Sequence, residues 1–261
     1  MKQSCEKFDK KPRKILTTVF SVAFWLLLWQ MISMLTKYGV FLASPIDVIK
    51  ALCRQVVTPE FWGTVLCSLS HILSGFGLAM VVGCLLAVLC SKSVFLKTFF
   101  SPVIRLVRTV PVVSFVILAL ILLPSGMLSV LISFLMAMPV FYENMSGALE
   151  SLDPGLDEMA DIYGVKRPRR FRYLYLPQIY PGFERAAVLS LGFAWKAGTT
   201  AEVISSGTGS IGGMLYQAKI YLDTPELFAW TLTVILCSIV TEKLLRLLLK
   251  AIYRLILKMK K

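Results

Sequence analysis

Long apolar runs alternate with polar breaks along this chain. The runs cover roughly residues 15–35, 63–90, 109–123, 127–149, 183–205 and 226–249. Most reach about twenty residues, the length a helix needs to cross roughly 30 Å of hydrocarbon. Inside a bilayer each backbone amide must find its partner within the protein, and a single segment does so as a helix. The pattern therefore predicts an all-α integral membrane protein with six transmembrane helices. Pro111 sits inside the third run, where a kink or a helix start is expected. In the second run Gly75, Ala79, Gly83 and Ala87 recur every four residues, a face suited to close helix packing.

The breaks differ in kind. Residues 36–62 are a polar connector containing Ser44-Pro45-Ile46-Asp47-Val48-Ile49, and residues 206–225 are glycine-rich. The segment 150–181 is strongly charged, with five acids in its first twelve residues and five basic residues from Lys166 to Arg172. Its first part follows helix grammar. Asp153 can cap, Pro154 suits the first helical position, Asp157 and Glu158 fall in the early turns, and Gly164 can take the left-handed conformation that ends a helix. A helix of about ten residues would align Leu156, Met159, Ala160 and Tyr163 as one apolar stripe, with Asp153, Asp157 and Asp161 on another face. After Gly164 the chain is expected to restart at Pro168 and stop at Pro177.

Composition supports a membrane class: 57% of the 261 residues are hydrophobic and the mean hydropathy is +0.73. The net charge of +13 would suit nucleic acid, but its distribution argues otherwise. Twenty-two of the 28 Lys and Arg lie in the first fourteen residues, in 92–108, in 166–172 and beyond 242; only Lys37, Lys50, Arg54 and Lys219 lie in the opposite connectors. By the positive-inside rule both termini and the charged loop face the cytoplasm, and the excess charge reflects orientation.

Catalytic signatures are missing from the sequence. There is no phosphate-binding G-x-x-x-x-G-K-[ST] loop, no metal-ligand cluster and no nucleophile–base set, and the six cysteines form no C-x-x-C pair. His71, near the outer end of the second run, has no second His or carboxylate spaced to join it and reads as a hydrogen-bonded structural or interfacial histidine rather than a ligand. Ionisable residues inside a span are costly, so Lys196 and Glu202 stand out. Trp195, Gly198, Thr199, Glu202 and Ser206 share a helical stripe, with Lys196 about 100° away beside Thr200 and Val203. Glu202 reads either as a carboxylate packed against the outer connector or as part of a solute path. Lys196 either snorkels, pairs with Glu202 or Glu143, or faces the path and favours an anion.

The charged loop carries a resemblance. Glu158-Met159-Ala160, Gly164 after three further residues, then Leu174-Tyr175-Leu176-Pro177 after nine more resemble the EAA loop of ABC importer membrane subunits, E-A-A-x3-G-x9-I-x-L-P. Met159 replaces the first Ala and Leu174 the Ile. The Ser44–Ile49 segment is similar to an S-P-x-x-V-I element of the sulfonate, taurine, nitrate and vitamin-precursor permeases. Ala194-Trp195 and Ala201-Glu202 are similar to their A-W and A-E pairs.

The resemblance, over about residues 44–249, implies a type I ABC importer permease fold in the cell membrane. It implies a permease domain at 15–250 containing a coupling loop at 150–181, flanked by a tail at 1–14 and a basic tail at 251–261. Leu156, Glu158, Met159, Ala160, Tyr163, Gly164, Leu176 and Pro177 would meet an ABC ATPase subunit. Gly164 would aim the coupling helix, and Glu158 would hold it through Arg167, Arg169 or Arg170. Trp195, Lys196, Thr199 and Glu202 would line the path. The implied partners are two ATPase copies, a second permease subunit forming a homodimer and an extracytoplasmic binding protein. The chain would bind no cofactor itself, ATP and Mg residing on the ATPase. The competing reading is a stand-alone secondary transporter or channel, for which the sequence lacks a visible inverted repeat.

Overall fold

The computed structural model describes residues 6–35 and 42–258, and every element among them is helical. In chain order these are α1 (Glu6–Leu35), α2 (Pro45–Val56), α3 (Pro59–Lys92), α4 (Val94–Thr109), α5 (Val112–Leu122), α6 (Ser125–Glu150), α7 (Pro154–Ile162), α8 (Arg167–Arg170), a π turn (Phe171–Tyr175), α9 (Leu176–Ile204), α10 (Ile211–Ile220) and α11 (Thr224–Lys258). Local chemistry sets several of these starts. Ser44 Oγ accepts from the amide of Asp47 and Pro45 opens α2; Asp153 Oδ1 accepts from the amide of Gly155 and Pro154 opens α7.

The core is a three-helix contact of α3, α6 and α9. Gly75, Ala79, Gly83 and Ala87 are all buried, and at Gly83 an added Cβ would lie 2.6 Å from Phe141 Cβ and 2.9 Å from the Met138 carbonyl. Backbone thus approaches backbone where lipid supplies no hydrophobic drive between helices. A row of buried serines joins the same helices. Ser129, Ser133 and Ser190 donate to the carbonyls of Gly198, Ala194 and Ala137 at 3.3, 3.1 and 3.3 Å. Such interhelical bonds contribute about 0.6 kcal/mol each on average in a bilayer. Trp195 is fully buried, and its Nε1 donates to Thr241 on α11 at 2.9 Å. On the far side of α3, Leu66, Leu78, Val81 and Leu85 are exposed, as a lipid-facing surface requires.

By length and apolarity α3 and α6 can each cross a membrane, and α4 with α5 counts as a third, broken candidate bent by 98°. The third apolar run, expected as one span, yields an α5 of only 11 residues, about 16 Å long. Pro111 causes the break: it has no amide hydrogen to continue α4, and it forces Val110 into an extended conformation. The adjoining α4 is fastened along the C-terminal half of α6 by Lys97–Glu150 at 2.6 Å and Arg108–Glu143 at 2.5 Å. At the other end of α6, Gly126 lies beside His71 of α3.

One expectation fails at the end of the charged loop. The chain does not stop at Pro177: α8, the π turn and α9 follow one another without interruption from Arg167 to Ile204. An i→i+5 turn ahead of Pro177 accommodates its missing amide hydrogen. The glycine-rich connector contains α10, whose Ile211, Gly212 and Gly213 are buried.

Candidate functional site

Helix α7 has no extensive packing against α3 or α6; its contacts run to the Arg170–Gln178 segment that leads into α9. It ends in a Schellman motif: the amide of Val165 donates to Ala160 O at 2.9 Å and that of Gly164 to Asp161 O at 3.0 Å. Gly164 has φ +59°, which an L side chain rarely adopts, and nothing lies within 4 Å of where a Cβ would sit.

The acidic face of α7 is paired while still open to solvent, the Asp161 side chain being 71% exposed. Arg170, with a side chain only 16% exposed, reaches Asp157 Oδ1 at 3.0 Å and also Asp161. Tyr175 Oη donates to Asp157 Oδ1 at 2.6 Å, and the Asp153 amide donates to Gln178 Oε1 at 3.1 Å. The hydrogen bond to Asp161 leads in pushing the Arg170 guanidinium above its ordinary range, and the bond to Asp157 raises the Tyr175 phenol. Both groups therefore stay protonated donors.

The opposite surface is open. Met159 is 44% exposed, Tyr163 78% and Ile162 82%. Of the sequence stripe, Ala160 is buried and Leu156 half-buried, so the outward apolar rim is Met159, Ile162 and Tyr163. Glu158 is exposed beside this rim and pairs with none of Arg167, Arg169 and Arg170, the last being engaged by Asp157 and Asp161. Leu176 and Pro177 are half-buried in the first turn of α9.

At the other end of the bundle, Glu202 is 2% exposed. Its Oε2 accepts from Ser68 Oγ at 2.7 Å and from the Gly212 amide at 3.2 Å, while Ser68 Oγ accepts from the Ile211 amide at 2.8 Å. One carboxylate thus fastens the N-terminus of α10 to α3 and α9. His71 Nδ1 lies 3.8 Å from Glu202 Oε1, so the histidine read as unaccompanied does have a carboxylate neighbour. Sequence spacing could not find it, since the two residues come from different helices.

Trp195 and Thr199 are buried within the chain alongside Glu202. Lys196 faces outward with Arg185, Leu189, Phe193 and Thr200, and among the described residues it forms no ion pair. The proposed pairings of Lys196 with Glu202 or Glu143 are not formed, because Glu202 is held by Ser68 and Gly212 and Glu143 by Arg108. Beside α10, a cavity of about 430 Å³ opens between α2 and the start of α11, lined by Asp47, Lys50, Arg54, Gln55, Asp223 and Glu226. No cluster of metal-binding side chains occurs among the described residues.

Comparison with known proteins agrees with this architecture. Residues 79–258 match the family described as binding-protein-dependent transport system inner membrane component. The chain is similar to a probable ABC transporter permease protein of Brucella melitensis, 26% identical over 219 residues, spanning 82% of this chain and 87% of that protein. It is 25% identical to a putative aliphatic sulfonates transport permease protein of Bacillus subtilis, over 85% of this chain and 80% of the other. It is 23% identical to a nitrate import permease protein of Synechocystis, over 78% and 77%. A bundle of apolar helices, matched over most of its length, is thus a membrane transport component. The chain belongs to the binding-protein-dependent transport system inner membrane component family.

Proposed function

We propose that this chain is the membrane-spanning subunit through which an ATP-driven importer carries a small anion into the cell. The observation that carries this reading is the rim of Met159, Ile162 and Tyr163 on α7, an apolar surface held clear of the bundle with nothing of its own to bury against. A groove on a soluble partner is its natural destination. That partner is an ABC ATPase subunit, present in two copies, which binds ATP and Mg and supplies the hydrolysis this chain lacks.

In this reading α1, α3, the α4–α5 pair, α6, α9 and α11 make six spans, with both termini and α7 in the cytoplasm. A second copy of the chain completes the pore. An extracytoplasmic binding protein delivers the solute at the surface formed by α2 and α10. The exposed, unpaired Lys196 then belongs at the path between copies, since a lysine facing lipid at that depth is expensive. An anion suits it, as do the relatives named for sulfonates and nitrate. Uptake unchanged in Lys196→Met would remove that residue from the path.

The deciding experiment is co-purification from membranes. The tagged chain is expected to retain a soluble ATPase, and the double variant Met159→Asp, Tyr163→Asp to lose it while remaining in the membrane. Retention of the ATPase by that variant contradicts the reading and leaves a self-sufficient carrier as the better explanation.

A further inference from the structure

The pattern shared with EAA loops accounts for Glu158 and Gly164, but it says nothing of the three aspartates on the inner face of α7. These fall four residues apart, and each is tied to the segment that leads into α9. The Asp153 amide meets Gln178, Asp157 meets both Tyr175 and Arg170, and Asp161 meets Arg170. As the residue number rises along α7 it falls along the partner strip, so the two segments run antiparallel and are joined at every turn. Gln178 is itself fixed, donating through Nε2 to the Leu174 carbonyl at 3.0 Å.

This alignment depends on the π turn. In an α-helix, residues five apart point about 140° away from each other, so Arg170 and Tyr175 would diverge. The i→i+5 winding at Phe171–Tyr175, closed by the Leu176 amide on Phe171 O, returns the fifth residue over the first. Both donors therefore meet the same carboxylate. Pro177 follows directly, and it is a residue that an unbroken α-helix tolerates poorly. Sequence, local winding and side-chain ladder are thus one device.

We propose that Arg170 is the positioning residue that makes α7 and the first turns of α9 a single rigid lever, so that movement of the partner ATPase reaches the membrane helices through the Asp153–Asp157–Asp161 ladder. This rests on the reading of α7 as the ATPase contact. Arg170 touches neither solute nor nucleotide. Its planar guanidinium bridges two carboxylates one helical turn apart, which a lysine ammonium does less well.

The test is solute uptake per ATP hydrolysed, measured on the reconstituted complex. Arg170→Met is expected to keep the ATPase bound and hydrolysing while uptake per ATP falls about tenfold, a loss of coupling in the usual allosteric range. Arg170→Lys should recover part of the coupling, which a residue acting only in folding or docking would not predict. Wild-type coupling in Arg170→Met overturns the proposal. Should Arg170→Met fail to accumulate, Asp161→Asn decides: reduced uptake per ATP supports the ladder and unchanged uptake per ATP overturns it. A wild-type chain that binds no ATPase would instead sink the functional reading itself, an outcome separable from all of these.

Discussion

Gly164 offers the sharpest separation of backbone from side-chain effects. Its φ of +59° lies where a non-glycine residue costs about 1–2 kcal/mol, and nothing within 4 Å opposes an added Cβ. Within this chain the whole penalty is therefore conformational. One to two kcal/mol changes the ratio of correctly aimed to misaimed α7 by a factor of about 5 to 30. Asparagine tolerates the left-handed region, alanine does so less, and β-branched valine is a genuine outlier there. Uptake by cells carrying the complete transporter should follow Gly, Asn, Ala, Val in descending order, with membrane levels unchanged because the residue lies outside the bundle. If side-chain volume against the partner governed instead, Ala would exceed Asn. That inversion, or equal uptake by all four, would refute the reasoning.

Two further predictions follow from the packing. Gly77 and Gly83 share α3, yet a Cβ at Gly77 meets nothing within 4 Å while one at Gly83 lies 2.6 Å from Phe141 Cβ. Gly77→Ala should stabilise the detergent-purified protein by about 0.5–1 kcal/mol through helix propensity, and Gly83→Ala should destabilise it by about 1–3 kcal/mol. Thermal unfolding of the pair checks this, and equal midpoints would contradict the close approach of α3 and α6. Glu202→Ala strands the Ser68 hydroxyl and the Gly212 amide, each worth about 1–3 kcal/mol when left buried without a partner. Proteolysis near 206–213 should rise in Glu202→Ala and stay low in Glu202→Gln, which keeps an acceptor; matching digestion of the two would show that the carboxylate does not hold α10.

The parts of this molecule readable in advance obey local rules. Asp153, Pro154 and Gly164 bound α7 because capping involves neighbours a few residues apart, and the small residues from Gly75 to Ala87 share a face because a helix repeats. What escaped reading depends on distant partners. Arg167, Arg169 and Arg170 are equivalent in sequence, and only the π winding selects Arg170. His71 and Glu202 approach each other from separate helices. Helix α10 is written in glycines that disfavour helix, but Gly212 sits where any side chain would strike Glu202, so tertiary packing overrides propensity.

The meeting of Gly126 with His71 fixes a depth as well as a contact. His71 lies twelve residues into α3, so the turn joining α5 to α6 lies about 18 Å along that helix from its N-terminal end. In the proposed importer that end of α3 faces outward, so the α5–α6 turn stands well below the outer tip of the helix and a solute arriving beside it has that much less protein to cross.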